Sequence, residues 1–167
     1  MKSLFINQSA APESFPLEIA DNPWMPQSIN EIESSNEELN ELALLAPTLA
    51  ELSQQNRWVV LVGASKQAIN YVNQASEINS ERILLVHPND QTDALWAIEQ
   101  ALMSGNSSAV LGWPGSINSR DHKRLLLAAK RTSALAFIFN ETAISAPDID
   151  LGYQDKFTGF NHTNAFH

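Results

Sequence analysis

Four short runs of β-formers, RWVVLV (Arg57–Val62), RILLVH (Arg82–His87), SAVLGW (Ser108–Trp113) and ALAFIF (Ala134–Phe139), are separated from one another by 19 or 20 residues. A run that is apolar at successive positions has no polar face to turn toward water, so it belongs in a sheet covered on both sides. Each interval carries a helical pattern long enough for a crossover. Ser65–Ala75 puts Ala68, Val72 and Ala75 on one face, and Asp90–Met103 does the same with Ala94, Ile98, Ala101 and Leu102, with Gly105 as its C-terminal cap. Asn118–Arg131 presents Leu125 with Ala128 or Ala129. This alternation predicts an α/β fold: a mostly parallel sheet, right-handed crossovers, and helices on both faces. A further amphipathic helix is predicted from Glu37, where Leu39, Leu42, Leu45, Leu49 and Leu52 recur at three and four; Pro47 either kinks it or opens a fresh helical turn.

Folds of this kind bind ligands beyond the carboxyl ends of their strands, so the loops there decide whether nucleotide chemistry is available. After the first run the sequence reads GASKQ. A phosphate loop needs G-x-x-x-x-G-K-[ST], whose backbone N–H groups cradle phosphates while the lysine and hydroxyl reach the outer phosphates and Mg²⁺. Gly63 is followed three residues later by Lys66, with no second glycine and with Gln67 where the hydroxyl belongs. The third run should end in an acid for Mg²⁺ and ends instead in Trp113 and Pro114. GAS is not a nucleophile elbow either, and Ser65 reads as a helix N-cap. His87, His122, His162 and His167 form no i, i+4 pair on a helix, and Asp90 and Asp93 suit a helix start. No catalytic group, cofactor or metal is expected.

The 167 residues, 44% hydrophobic, suffice for one core, and the absence of cysteine suits a reducing compartment. No run approaches the ~20 apolar residues of a membrane span, and the amino terminus lacks a signal-peptide core, so the expected location is the cytoplasm, with no membrane partner. The net charge of −9 is concentrated early: residues 1–55 carry nine acids against Lys2. That balance disfavours nucleic acid. Residues 1–36, rich in proline, serine and acids, are expected to form a flexible acidic arm, residues 37–158 the α/β domain, and residues 159–167 (GFNHTNAFH) a free tail. Trp24 and Met25 could anchor the arm transiently.

Two features remain for binding. Arg120, Lys123, Arg124, Lys130 and Arg131 make one helix basic: a solvated face, or a ridge for an acidic protein surface. Trp24, Trp58, Trp96 and Trp113 are either lids on the core or, beside an arginine, hot spots of a protein interface.

The blocks LLAPTLAELSQQNRW, ERILLVHPN and ALMSGNSSAVLGW, in that order, with a terminal aromatic-His in NAFH, resemble the SulA cell-division inhibitors of the bacterial SOS response. The similarity covers Leu44–Asn140 and the last few residues. It implies a RecA-like α/β fold without a functional P-loop. It also implies a non-enzymatic inhibitor that binds the tubulin-like division GTPase FtsZ and keeps its subunits from polymerising. The family's sensitive positions match Arg57, Val62 and Arg82, and an aromatic position matches Val72 or, shifted by one, Tyr71; Trp58 adjoins them. Val62 is smaller than the family's usual leucine, and Arg82 replaces a lysine. The resemblance further implies that Lon protease reads the tail at Asn164, Ala165, Phe166 and His167. Arg57 and Arg82, both at strand beginnings, are expected at one end of the sheet, opposite a normal nucleotide site. Two alternatives stay open: a RecA-like accessory protein of DNA-damage tolerance, and a degenerate nucleotide-binding domain that still holds a ligand. Oligomeric state is also open, a homodimer included.

Overall fold

The computed structural model describes residues 23–34 and 38–141. Five parallel strands form one sheet in the order β1-β5-β4-β2-β3. They are β1 (Ile29–Ser34), β2 (Trp58–Val62), β3 (Ile83–Val86), β4 (Ser107–Gly112) and β5 (Leu135–Glu141). The helices are α1 (Glu38–Ser53), α2 (Lys66–Gln74), α3 (Gln91–Met103) and α4 (Ser119–Ala129). The α/β class, the parallel sheet and the coverage of both faces agree with the expectation from the apolar runs. Side chains alternate along each strand and divide the core in two. Val59 and Leu61 of β2 join Leu42, Leu45 and Leu49 of α1 and Ala68 and Val72 of α2 on one face. Val60 and Val62 join Ile98 and Leu102 of α3 and Leu125 of α4 on the other.

Helix starts follow the capping chemistry. The side chains of Ser65, Asp90 and Asn118 accept hydrogen bonds from the backbone N–H groups of Ala68, Asp93 and Asp121. After α3, Gly105 takes φ +74°, the left-handed conformation of a helix-ending residue. Pro47 neither ends α1 nor restarts it; the helix runs through. Pro47 and Ala43, whose carbonyl loses its i+4 donor, are both exposed, so water can satisfy that carbonyl.

The expected acidic arm of residues 1–36 needs correction. INEIES is a strand, β1, paired with β5 from Ile29↔Ala136 to Ser34↔Glu141. Only Ile29 and Ile32 are apolar, and they face opposite sides, so no period of two marks the segment. An edge strand half open to water tolerates such a sequence, and its backbone bonds to β5 hold it. Asn30 adds to this by donating to the Ala136 carbonyl at 3.1 Å. Trp24 is docked as well, edge-on to Phe137 at 5.2 Å and donating to Thr48 Oγ1 at 3.2 Å. Residues 1–22 and the expected tail 159–167 lie outside the described residues, as do residues 142–158. No helix among the described residues is long and apolar enough to cross a membrane.

Candidate protein-docking site

The crevice at the carboxyl ends of the strands comes first, because folds of this kind place their ligands there. β2 and β4 are neighbours whose helices leave to opposite faces, so the loops after them flank the switch point. Gly63, at φ +75°, lies so close to the β4 loop that a Cβ there would sit 3.2 Å from the Trp113 carbonyl oxygen. Trp113 stacks on Phe139 at 4.3 Å with an interplanar angle of 5° and roofs the space. The Ser65 hydroxyl, while capping α2, donates to the Glu38 carboxylate at 2.6 Å. A carboxylate from α1 thus stands beside the helix start that would otherwise meet a phosphate, and a phosphate there would be repelled.

The opposite end of the sheet gathers the predicted binding residues. Because β2 and β3 are parallel neighbours, the residues that precede them come out on one edge. Arg57 donates from Nη1 to Ser133 Oγ at 2.8 Å and from Nη2 to the Gly105 carbonyl at 3.3 Å, bridging the turns before β4 and β5. Arg82 lies in a 3₁₀ turn, Ser80–Arg82, one residue before β3 rather than in the strand. It donates to Asn56 Oδ1 at 2.6 Å, and its guanidinium sits 5.7 Å from the centre of the Trp58 ring, a cation–π arrangement. Arg57, Trp58 and Arg82 therefore form one ledge, with both guanidinium groups held by neutral oxygens and free of carboxylate partners among the described residues.

The other predicted positions do not join it. Val62 and Val72 are buried on opposite faces of the sheet, each packed into a core rather than open to a partner in this conformation. Tyr71 is half-buried on α2 against the α1/α2 core, on the other face from the Trp58 ring. Asn164, Ala165, Phe166 and His167 lie outside the described residues.

Leu84, which the sequence placed inside a buried strand, and Trp96, one of the four tryptophans weighed as core lids or interface hot spots, extend the ledge. Trp58, Leu84 and Trp96 are 37%, 45% and 58% exposed, and they line an apolar groove between β3 and α3 floored by Val60 and Val86. RILLVH looked like a strand buried on both faces, yet β3 is the sheet edge, and α3 lies too far inward, over β2 and β4, to cover Leu84. Trp96 did carry a signal: it falls off the Ala94–Ile98–Leu102 stripe, and an off-stripe tryptophan is an exposed one. Three large apolar side chains beside an arginine have the composition of an interface centre.

A family model described as cell division inhibitor SulA matches residues 27–136. A cell division inhibitor SulA from Yersinia enterocolitica is 29% identical over 130 residues, which span 76% of this chain and 77% of the relative. One from Yersinia pestis is 33% identical over 107 residues, spanning 62% of this chain and 63% of the relative. The crystal structure of SulA from Pseudomonas aeruginosa matches with a TM-score of 0.57 at 30% identity, over 69% of this chain and 99% of that one. With more than half of its length matched by the family model, and the fold matched as well, the chain belongs to the SulA family of cell division inhibitors.

Proposed function

We propose that the chain acts by occupancy: it binds the division GTPase FtsZ in the cytoplasm and blocks its polymerisation, and hence septum formation, during the SOS response. The observation that carries this is the ledge of Arg57, Trp58 and Arg82, continuous with the exposed Leu84 and Trp96. An inhibitor of this kind needs an aromatic and aliphatic centre with charged anchors, and no reacting groups. The crevice at the other end of the sheet, with its glutamate beside the helix start, is poorly suited to nucleotide and leaves the ledge as the working surface.

Sedimentation of FtsZ with GTP at graded ratios of this protein tests the reading. Inhibition is expected to saturate near one inhibitor per FtsZ subunit. Full inhibition at a small fraction of that ratio would mean turnover or filament capping in place of sequestration.

An inhibitor of division has to disappear when damage is repaired, so we also propose that Lon protease reads Asn164–His167. Removing those four residues is expected to lengthen the cellular half-life while inhibition persists. An unchanged half-life in cells that contain Lon would place the signal elsewhere.

A further inference from the structure

The outer seam between α3 and α4 holds a second groove, apolar in its floor and cationic at its rim. Met103 and Leu127 are 52% and 59% exposed, and Arg120, Lys123 and Arg131 surround them. Glu99, the one carboxylate lining the groove among the described residues, is already bound to Arg124, and that hydrogen bond raises the guanidinium's pKa above its ordinary value. Arg120, Lys123 and Arg131 have no ion-pair partner among the described residues. Ordinary solvation accounts for such cations on a polar face; it does not account for them ringing two uncovered apolar side chains in a chain of net charge −9. The apolar floor also argues against nucleic acid, whose phosphates would gain nothing from Met103 and Leu127.

We propose that this groove is filled by the chain's own segment Asp148–Asp155, DIDLGYQD. Three observations converge on that occupant. Its chemistry is complementary: Asp148, Asp150 and Asp155 with no base among them, interleaved with Ile149, Leu151 and Tyr153. Its origin is right: β5 ends at Glu141 on the carboxyl edge of the sheet, and α4, which follows the parallel strand β4, begins on that same edge. α4 is also held over β1, the neighbour of β5, by the pair His122 Nε2–Glu31 Oε1 at 2.5 Å. Its reach suffices: the six residues between Glu141 and Asp148 span up to roughly 20 Å, and the eleven residues of α4 rise about 16 Å. The acids of residues 1–22 fit less well, because that segment leads into Trp24, which is anchored on the opposite face of the sheet against Phe137 and Thr48.

The chain contains no cysteine, so disulfide trapping in the full-length protein reads the contact without background. Leu127→Cys with Leu151→Cys, oxidised at low protein concentration, is expected to close an intramolecular disulfide at least tenfold faster than Leu84→Cys with Leu151→Cys, which probes the other groove. Lys123→Glu with Arg131→Glu should remove that advantage, and about 1 M salt should reduce it, since screening then acts within about 3 Å. Equal rates for the two pairs would overturn the proposal. So would crosslinks formed only between copies, or a faster reaction between Leu127→Cys and Phe5→Cys, which would give the groove to a second copy or to the amino-terminal segment.

Discussion

Phe137→Ala is expected to cost the fold about 3–5 kcal/mol, the range for emptying a fully buried aromatic site. Phe137 has no exposed surface and sits in the middle of β5, opposite Asn30 of β1 and Leu111 of β4. Its ring takes the edge of Trp24, so the truncation also removes the floor on which the chain before β1 is docked. The helices over this face cannot close in to fill the space, because α1 is held by Leu42, Leu45 and Leu49 against strands that do not move. A domain of this size holds about 5–15 kcal/mol in all, so one substitution takes about a fifth of it or more. In urea the midpoint should fall with an unchanged slope, and Trp24 emission should shift to the red before the main transition. Trp96→Ala is the contrast: a ring of similar size, mostly exposed, whose loss should stay within about 0.5 kcal/mol. A Phe137→Ala midpoint equal to that of Trp96→Ala would contradict the assigned core.

The difference between Phe137 and Trp96 marks how far the sequence could be read. Burial inside a central strand was visible, because ALAFIF has no polar position to offer water. Strand order was not, since periodicity within a segment says nothing about its neighbours. RILLVH looks as buried as RWVVLV, yet β3 is an edge and its Leu84 is open. The reverse error occurred at INEIES, where two isoleucines on opposite faces leave no period and the strand exists by pairing with β5. The site divides along the same line. Arg57, Trp58 and Arg82 precede or open adjacent parallel strands, and that position follows from the βα alternation, so their convergence was foreseeable. Val62 and Val72 came from family resemblance alone. Their place in the core fits a role in holding β2 and α2, and a resemblance does not separate a residue that touches a partner from one that supports those that do.

Reversing charge at Arg57 and Arg82 together is therefore the substitution with the largest expected effect on binding. Charged anchors at protein interfaces cost about 2–5 kcal/mol when lost, so Arg57→Glu with Arg82→Glu should weaken binding to FtsZ by roughly 30-fold to several thousand-fold. The fold should tolerate the change, because what the two side chains hold in the free protein is modest. Arg57 donates to Ser133 and Gly105, and Arg82 donates to Asn56 and covers Trp58, all at the surface. Val62→Ala gives the opposite pattern. It empties part of the core beside α3 and should lower the melting temperature, with any loss of inhibition following the loss of folded protein. Measuring both quantities on each variant separates contact from support: Arg57→Glu with Arg82→Glu should keep the melting temperature and lose inhibition of FtsZ sedimentation. Arg57→Lys should fall between, since lysine keeps the charge but cannot reach Ser133 and Gly105 together with one planar fork. Full inhibition by the double charge reversal would remove the two arginines from the interface and leave the groove of Leu84 and Trp96 or the basic Arg120–Arg131 face to account for partner binding.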